Sequence, residues 1–376
     1  MGDYCRCLGR QFEDLGHTVQ LVALNDHWIS DAVSGSQGSL PTLRLSSAST
    51  LEERFVMVNE RLRDFQPDLV SLHYVCYGFH HRGLPWRWNR VLEQIGAEVP
   101  GRHLMFHELW IGEGSHPSIK QRLFGMGQRW LIRDLVRRFR PHLVTTSMAL
   151  YQRRLSRLGV ASKVLPLFGQ IPIVPRDDTG VVNLLMSAGC GIDKKPREAF
   201  LNGVFFGLAH PTFDVMPLIK WLAEIGREAD KSILLSMVGR AGLGEEGFAR
   251  RLTDSLPDNI ELVLLGEQPE DMISQVLQFA DFGVSTSSSE YVGKSSTFAT
   301  MRAHGLPMVL ADGEVDPIFR DAVPPVVQFS ASGSATAIMN CTHSIKLEAV
   351  AAHAAHDLLQ LLRNTPVANH DSAFTG

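Results

Sequence analysis

The chain predicts an α/β protein built from two doubly wound parallel-sheet domains. Three observations carry that expectation. Its 376 residues exceed one ordinary domain, at roughly 150 residues each. Short apolar runs alternate with longer amphipathic stretches along the whole length. Those runs are apolar at consecutive rather than alternate positions, as strands covered on both faces are. Hydrophobic residues at 44% and charged residues at 20% exclude a disordered or collagen-like chain. No run approaches the ~18 apolar residues that cross a bilayer.

In the first half, strands are expected over 18–24, 69–74, 103–107, 142–146 and 163–167, with helices near 4–15, 51–65, 87–96, 118–140 and 149–158. The stretch LPLFGQIPIVPRDDTG (165–180) holds three prolines and two glycines and reads as a connector. It sets a boundary near 172. A second series follows, with strands near 182–187, 203–207, 233–238, 260–265, 282–286, 307–311 and 325–329, and helices near 197–201, 215–228, 245–255, 270–279 and 295–304. Residues 344–364 place Leu347, Val350, Ala351, Ala354, Leu358 and Leu361 on one helical face and predict a closing helix. Residues 365–376 are expected to fray. The expected division is therefore 1–172, 173–343, the closing helix and the tail. No strand pattern precedes Gly2, so the expectation is either a first sheet one strand short or a chain that begins downstream of its natural start. Ligands of such folds sit outside the carboxyl ends of the strands, here in a cleft expected between the two domains.

Lysine plus arginine (36) against aspartate plus glutamate (40) leaves a net charge of −4, which taken alone argues against a generic nucleic-acid binder. The halves differ. Residues 1–172 carry 21 basic and 15 acidic side chains, and 173–376 carry 15 and 25. The five cysteines (Cys5, Cys7, Cys76, Cys190, Cys341) are odd in number and scattered, which fits a reducing cytoplasm better than a disulfide framework. Cys5 and Cys7, two apart on a predicted helix, point in different directions and make a poor metal pair. The charged start GDYCRCLGRQFEDLGH lacks the pattern of a signal peptide.

Chemistry concentrates in DFGVSTSSSEYVGKSSTFATMRAHGLPMVL (281–310). A strand ends near Thr286, a small-residue loop follows, and Gly293, Lys294, Ser295, Ser296 and Thr297 lead into a helix. Free N–H groups at that helix start, with a lysine and hydroxyls, suit a phosphate. The alternative is a solvated lysine beside a serine cap. GKSS is not a P-loop, because Ser288 stands where that motif requires glycine.

This segment resembles the donor-site region of family-4 glycosyltransferases, retaining enzymes of the GT-B architecture, in which a strand leads through a loop and helix to "GLPVV". GDYCRCLGRQFEDLGHTVQLVAL (2–24), QPDLVSLHY (66–74) and the surroundings of His107 are similar to that family's first loop and next strands. The resemblance implies a GT-B fold, a nucleoside-diphosphate-sugar co-substrate and no bound metal or other cofactor. Two departures stand out. Aligned through Gly305-Leu306-Pro307, Val292 and Thr300 occupy the places of the family's paired glutamates, with Glu290 two residues early. The arginine many members place after the first strand of the second domain is not evident, and His210 stands in that region.

On this resemblance the donor set is Gly239, Arg240, Glu267, Glu290, Gly293, Lys294, Ser295, Ser296, Thr297 and Thr300. His107 and Glu108, at a strand end in MFHELWIGEG (105–114), are the catalytic candidates, with Glu113 a further carboxylate for acceptor hydroxyls. Gly2, Asp3, His73, Tyr74 and His210 are expected near acceptor or sugar. HYVCYGFHHR (73–82) also holds His80 and His81, and an acceptor-facing loop is favoured over a zinc site.

Between Lys120 and Lys163 there are eleven basic side chains and one acid, Asp134. Arg122, Arg129, Arg133, Arg137 and Arg140 form a narrow stripe on a helical wheel, with Leu123, Trp130, Leu131, Leu135 and Phe139 on the apolar side and Asp134–Arg138 an i,i+4 pair. The stripe is either an ordinary solvated face or a surface for anionic headgroups. The expectation is a cytoplasmic glycosyltransferase, at the inner face of the cell membrane, that takes a sugar-nucleotide donor and a glycan or lipid-linked acceptor. The alternatives are a non-catalytic sugar-nucleotide or glycan binder and a nucleotide-sugar epimerase. No nucleic-acid partner is expected.

Overall fold

The computed structural model describes residues 1–37, 40–97, 99–113, 117–192, 196–210, 213–239, 248–254, 256–319, 321–329, 334–341 and 350–365. The chain divides into two compact units, Met1–Pro166 with Ala351–Gly376, and Leu167–Val350.

The first unit runs α1 (Gly2–Asp14), β1 (Leu21–Asp26), β2 (Val33–Gln37), β3 (Leu40–Ser46), α2 (Leu51–Phe65), β4 (Leu69–Tyr74), α3 (Cys76–Phe79), α4 (Trp88–Ala97), β5 (Gly101–Phe106), α5 (Ile119–Phe139), β6 (Leu143–Thr146), α6 (Ala149–Arg157) and β7 (Lys163–Val164). Strands β4 to β7 pair in chain order, all parallel. A separate small sheet has the order β1-β3-β2, with β2 antiparallel to β3. Leu104, Met105 and Phe106 are fully buried at the centre of the parallel sheet. Capping boxes start α2 (Thr50 with Glu53) and α5 (Ser118 with Gln121), each satisfying two N–H groups that the helix leaves unpaired.

The second unit runs α7 (Asp178–Ser187), β8 (Phe200–Phe206), α8 (Met216–Glu228), β9 (Ser232–Val238), α9 (Phe248–Thr253), β10 (Ile260–Gly266), α10 (Glu270–Phe279), β11 (Phe282–Val284), α11 (Ser296–Ala303), β12 (Met308–Leu310), β13 (Val326–Gln328) and α12 (Ser334–Met339). Six parallel strands lie in the order β10-β9-β8-β11-β12-β13. Chain order therefore reverses between β8 and β11, the topological switch point of a doubly wound sheet. The last helix, α13 (Ala351–Arg363), belongs to the first unit.

The structure corrects several expectations. Residues 182–187, expected as a strand, are the second half of α7, whose N-terminus is capped by the Asp177 carboxylate accepting from Gly180 N–H. The helix expected over 197–201 is one 3₁₀ turn, Arg197–Ala199, before β8 begins. Strands β2 and β3 were not expected, because VSGSQ and LPTLRLS carry the serine, glycine and proline of a loop. Gly2 and Asp3 sit in the first turn of α1, with Asp3 paired to Arg6, rather than in a loop. The start of the closing helix (344–349) and all of the tail but Thr365 lie outside the described residues.

Candidate functional site

In the second unit, the carboxyl edge of the sheet gathers most of the expected donor residues. Gly207 follows β8, Gly239 follows β9, Gly266 ends β10 and Glu267 comes next, exposed. Gly207 and Gly239 have left-handed φ values of 85° and 108°. A Cβ on Gly207 would sit 2.7 Å from Cγ2 of Thr297, and one on Gly239 would sit 3.2 Å from Gly207 Cα. Glycine is therefore needed at both for backbone and helix start to approach each other. Gly207, Ser285, Thr286, Ser287 and Thr297 line a small cavity of about 20 Å³ at the switch point.

Helix α11 enters this edge. The Ser295 hydroxyl caps it by accepting from Phe298 N–H and lies 3.0 Å from the Thr297 hydroxyl. Ser289–Lys294 form a 3₁₀ segment in which Gly293 is buried, while Glu290 and Lys294 are exposed. The Lys294 ammonium lies 5.6 Å from the Tyr291 ring centroid. Ser296 is half-buried in the first turn. His210 joins the edge through its backbone, whose N–H donates to the Thr286 hydroxyl at 2.9 Å. Thr300 does not reach this edge as a ligand group. It is buried one turn on, and its hydroxyl accepts from Gln170 N–H at 3.1 Å. Val292 is fully buried. Arg240 lies outside the described residues.

In the first unit, the structure assembles a chain of hydrogen-bonded imidazoles. His107 Nε2 is 3.0 Å from His73 Nδ1, His73 Nε2 is 3.1 Å from Ser71 Oγ, and Ser71 Oγ is 2.7 Å from His103 Nδ1. His103 Nε2 is 2.8 Å from the Thr145 hydroxyl. The Tyr4 ring meets His107 edge-on at 4.9 Å and His73 at 5.4 Å. Burial pushes His73 down to about 4 and His103 to about 3. Burial, then His73, holds His107 well below the usual imidazole value. All three are neutral at pH 7. Glu108, next along, is half-buried, and its charge adds to the burial that pushes the Cys76 thiol up to about 12.

Other expected contacts turn out to be packing. Tyr74 is fully buried, stacked on Phe79 and edge-on to Phe106. The strand pleat turns it to the face opposite His73. His80 organises its own loop, its Nδ1 accepting from Arg82 and Leu84 N–H. Glu113 anchors the buried Arg154 at 2.7 Å and accepts from Trp110 Nε1 at 2.6 Å. No cluster of His, Cys, Asp or Glu among the described residues is arranged to hold a metal ion.

On α5, Arg122, Arg133, Arg137 and, just past its end, Arg140 are exposed. Arg129 turns aside, 5.7 Å over the Trp110 ring and 3.8 Å from Glu113. Arg137 and Arg138 both pair with the buried Asp134. Leu131, Leu135 and Phe139 are buried as expected, but Leu123 and Trp130 are not. Ile119, Leu123, Met126 and Trp130 are 79%, 62%, 61% and 64% exposed, and their 4-3-4 spacing makes an apolar stripe on the outer face. No helix among the described residues is long and apolar enough to cross a membrane.

Sequence reasoning missed Gly207, Ser285, Ser287, Ser71, His103 and Thr145. A signal for the imidazole chain was present. Residues 71 and 73 share one face of a strand, and 103 lies on the next strand with 107 one residue past its end at the same parity, polar positions within otherwise apolar runs.

No family profile and no curated protein matches the sequence. Among solved structures, the chain is similar to the UDP-GlcNAc 2-epimerase of Methanocaldococcus jannaschii, with 10% identity over 96% of each chain and a TM-score of 0.49. It is similar also to the α,α-trehalose 6-phosphate synthase of Burkholderia multivorans, at 10% identity over 89% of this chain and 82% of that one, TM-score 0.48. Anabaena Alr3699/HepE, solved with UDP and glucose, is 14% identical over 86% of this chain and 84% of its own, TM-score 0.47.

Proposed function

We propose that the protein is a metal-independent GT-B glycosyltransferase that moves a sugar from a nucleoside-diphosphate-sugar to an acceptor hydroxyl with retention, in polysaccharide or glycoconjugate synthesis. One observation carries the reading: the glycine-lined switch point between β8 and β11, met by the capped start of α11. Left-handed glycines let a diphosphate approach the backbone, and the N–H groups of the first turn favour its charge. Lys294 adds a full positive charge on the same segment, which stabilises the diphosphate as it leaves. The sugar nucleotide is a co-substrate, and no bound cofactor is called for.

The first unit supplies the acceptor functions. His107, held neutral, is placed to hydrogen-bond an incoming hydroxyl, whose proton passes to the departing diphosphate, and its 3.0 Å hydrogen bond to His73 fixes the ring. Glu108 orients acceptor hydroxyls. The exposed apolar stripe of α5, flanked by Lys120, Arg122 and Arg133, supports work at an anionic cytoplasmic membrane face, where a lipid-linked acceptor is presented.

A second reading, a nucleotide-sugar epimerase, is favoured by the His73–His107 pair as a proton-transfer set. Thermal shift with UDP, GDP, ADP and dTDP tests the shared donor site, and no stabilisation by any of them rejects both readings. Sugar transfer to an acceptor selects the transferase, and isomerisation of the intact sugar nucleotide selects the epimerase. Stabilisation with neither reaction leaves a non-catalytic binding protein.

A further inference from the structure

We infer that Thr145 and Ser71 are positioning residues that set the tautomer of His107, so that its open nitrogen, Nδ1, carries the ring proton and acts as a hydrogen-bond donor. The groups behind His107 come from one face of three neighbouring strands. Ser71 of β4 lies opposite His103 of β5, His73 lies opposite Met105, and Met105 in turn lies opposite Thr145 of β6. The odd-numbered positions of all three strands therefore share a face. His107 follows one residue past β5 at the same parity and completes the row.

The direction of the chain follows from counting protons. Each ring is held neutral by burial, and a neutral imidazole has one N–H and one bare nitrogen, so it donates at one end and accepts at the other. Thr145 fixes the count. Its side chain is fully buried, and its hydroxyl makes no hydrogen bond among the described residues other than the 2.8 Å bond to His103 Nε2. A buried donor left without an acceptor costs the full desolvation of the group, so the Thr145 hydroxyl donates and His103 Nε2 is bare. His103 Nδ1–H then donates to Ser71 Oγ at 2.7 Å. Ser71 turns its own O–H to His73 Nε2 at 3.1 Å. His73 therefore carries its proton on Nδ1 and donates to His107 Nε2 at 3.0 Å. The proton of His107 is left on Nδ1, which has no hydrogen-bond partner among the described residues. The reverse direction would satisfy Ser71 and the rings equally well, but would strand the Thr145 O–H.

The tautomer stands without any assigned activity, whereas its use toward a substrate rests on the proposed transfer reaction. An incoming hydroxyl that accepts the His107 Nδ1–H on one lone pair is oriented, while its own proton stays free to pass to the departing diphosphate. The opposite tautomer would draw that proton's hydrogen bond to the ring instead. Thr145 touches no reacting atom and acts through His103, Ser71 and His73.

Ring-nitrogen NMR on the full chain with isotopically labelled histidine reads each tautomer directly, the signals being assigned from His107→Gln and His103→Gln. In the unaltered chain His107 should carry its proton on Nδ1, and a proton on Nε2 overturns the inference. Thr145→Val keeps the side-chain shape and removes the donor, so the ratio of Nδ1–H to Nε2–H at His107 should fall at least about tenfold. Thr145→Ser should restore it. Ser71→Ala breaks the chain midway and decides the matter if Thr145→Val does not fold: His107 should lose its preference while His103 keeps its proton on Nδ1. Both rings changing together, or neither, would refute the relay. Sugar transfer by the unaltered chain is assayed separately, and its absence would remove the proposed reaction while leaving the tautomers as measured.

Discussion

At the residue scale, the two candidate centres differ in what holds them. The second-unit edge rests on backbone conformation: Gly207 at φ 85° lies where any Cβ meets Thr297 at 2.7 Å. Gly207→Ala should cost about 1–2 kcal/mol of stability through left-handed strain and push α11 off the edge. Urea unfolding and UDP titration should therefore change together. Lys294→Ala should instead leave stability unaltered and weaken UDP binding by about tenfold or more, with uridine affinity unchanged. Equal UDP affinity in calorimetry would place the diphosphate elsewhere. The imidazole chain is a matter of burial. His73, pushed down to about 4, is neutral when folded and protonates near the ordinary value of about 6.5 when unfolded. The unfolded chain then binds the extra proton, so stability is full above pH 6.5 and falls as the pH drops towards 4. The slope is about 1.4 kcal/mol per pH unit for each such histidine. His73→Gln should flatten the urea midpoint between pH 6.5 and 4.5, and an unaltered slope would contradict a buried neutral ring.

At the element scale, legibility followed the strength of local signals. Helix α2 and strand β4 fall on their expected bounds because a capping box opens the helix and a run of apolar residues after Pro67-Asp68 makes the strand. Helix α7 is not legible as a helix because VVNLLMS is apolar at nearly every position, and such a short run fits a strand or a helix equally. Its Asp177 cap, followed by Thr and Gly, was the overlooked cue. On α5 the wheel placed the basic residues but not the core face. Leu123 and Trp130 belong to an outer stripe that only the packing of Gly125, Gln128 and Leu131 reveals. Gly125 accepts no Cβ, which would stand 2.0 Å from the Ile111 carbonyl, so that face is fixed against the chain before the helix. If the outer stripe meets an anionic bilayer, Leu123→Ser with Trp130→Ser should cut sedimentation with anionic vesicles at least about tenfold. Arg122, Arg133 and Arg137→Gln should do so only at low salt. An unchanged bound fraction would leave α5 an ordinary solvated face.

At the scale of the whole molecule, the sequence made the parallel α/β class legible, because buried strands and amphipathic helices alternate throughout. It did not make legible which unit owns the last helix, since the apolar face of α13 says only that it packs, not on what. In the structure α13 belongs with Met1–Pro166 and packs on α1, burying Ala354, Ala355 and Leu358. The first unit is therefore closed by a segment that begins 185 residues beyond Pro166 in sequence, a long-range contact that carries a loop-closure entropy cost. Its stability should depend on α13 while that of the second unit does not. Leu358→Ala should cost about 2–5 kcal/mol, as truncation of a fully buried leucine does. The loss should appear as faster amide exchange in β4, β5 and β6, with β8, β9 and β11 protected as before and the thermal response to UDP retained. Equal loss of protection in both sheets would mean that the chain unfolds as one cooperative body, and the unit boundary at Pro166 would then have no energetic meaning.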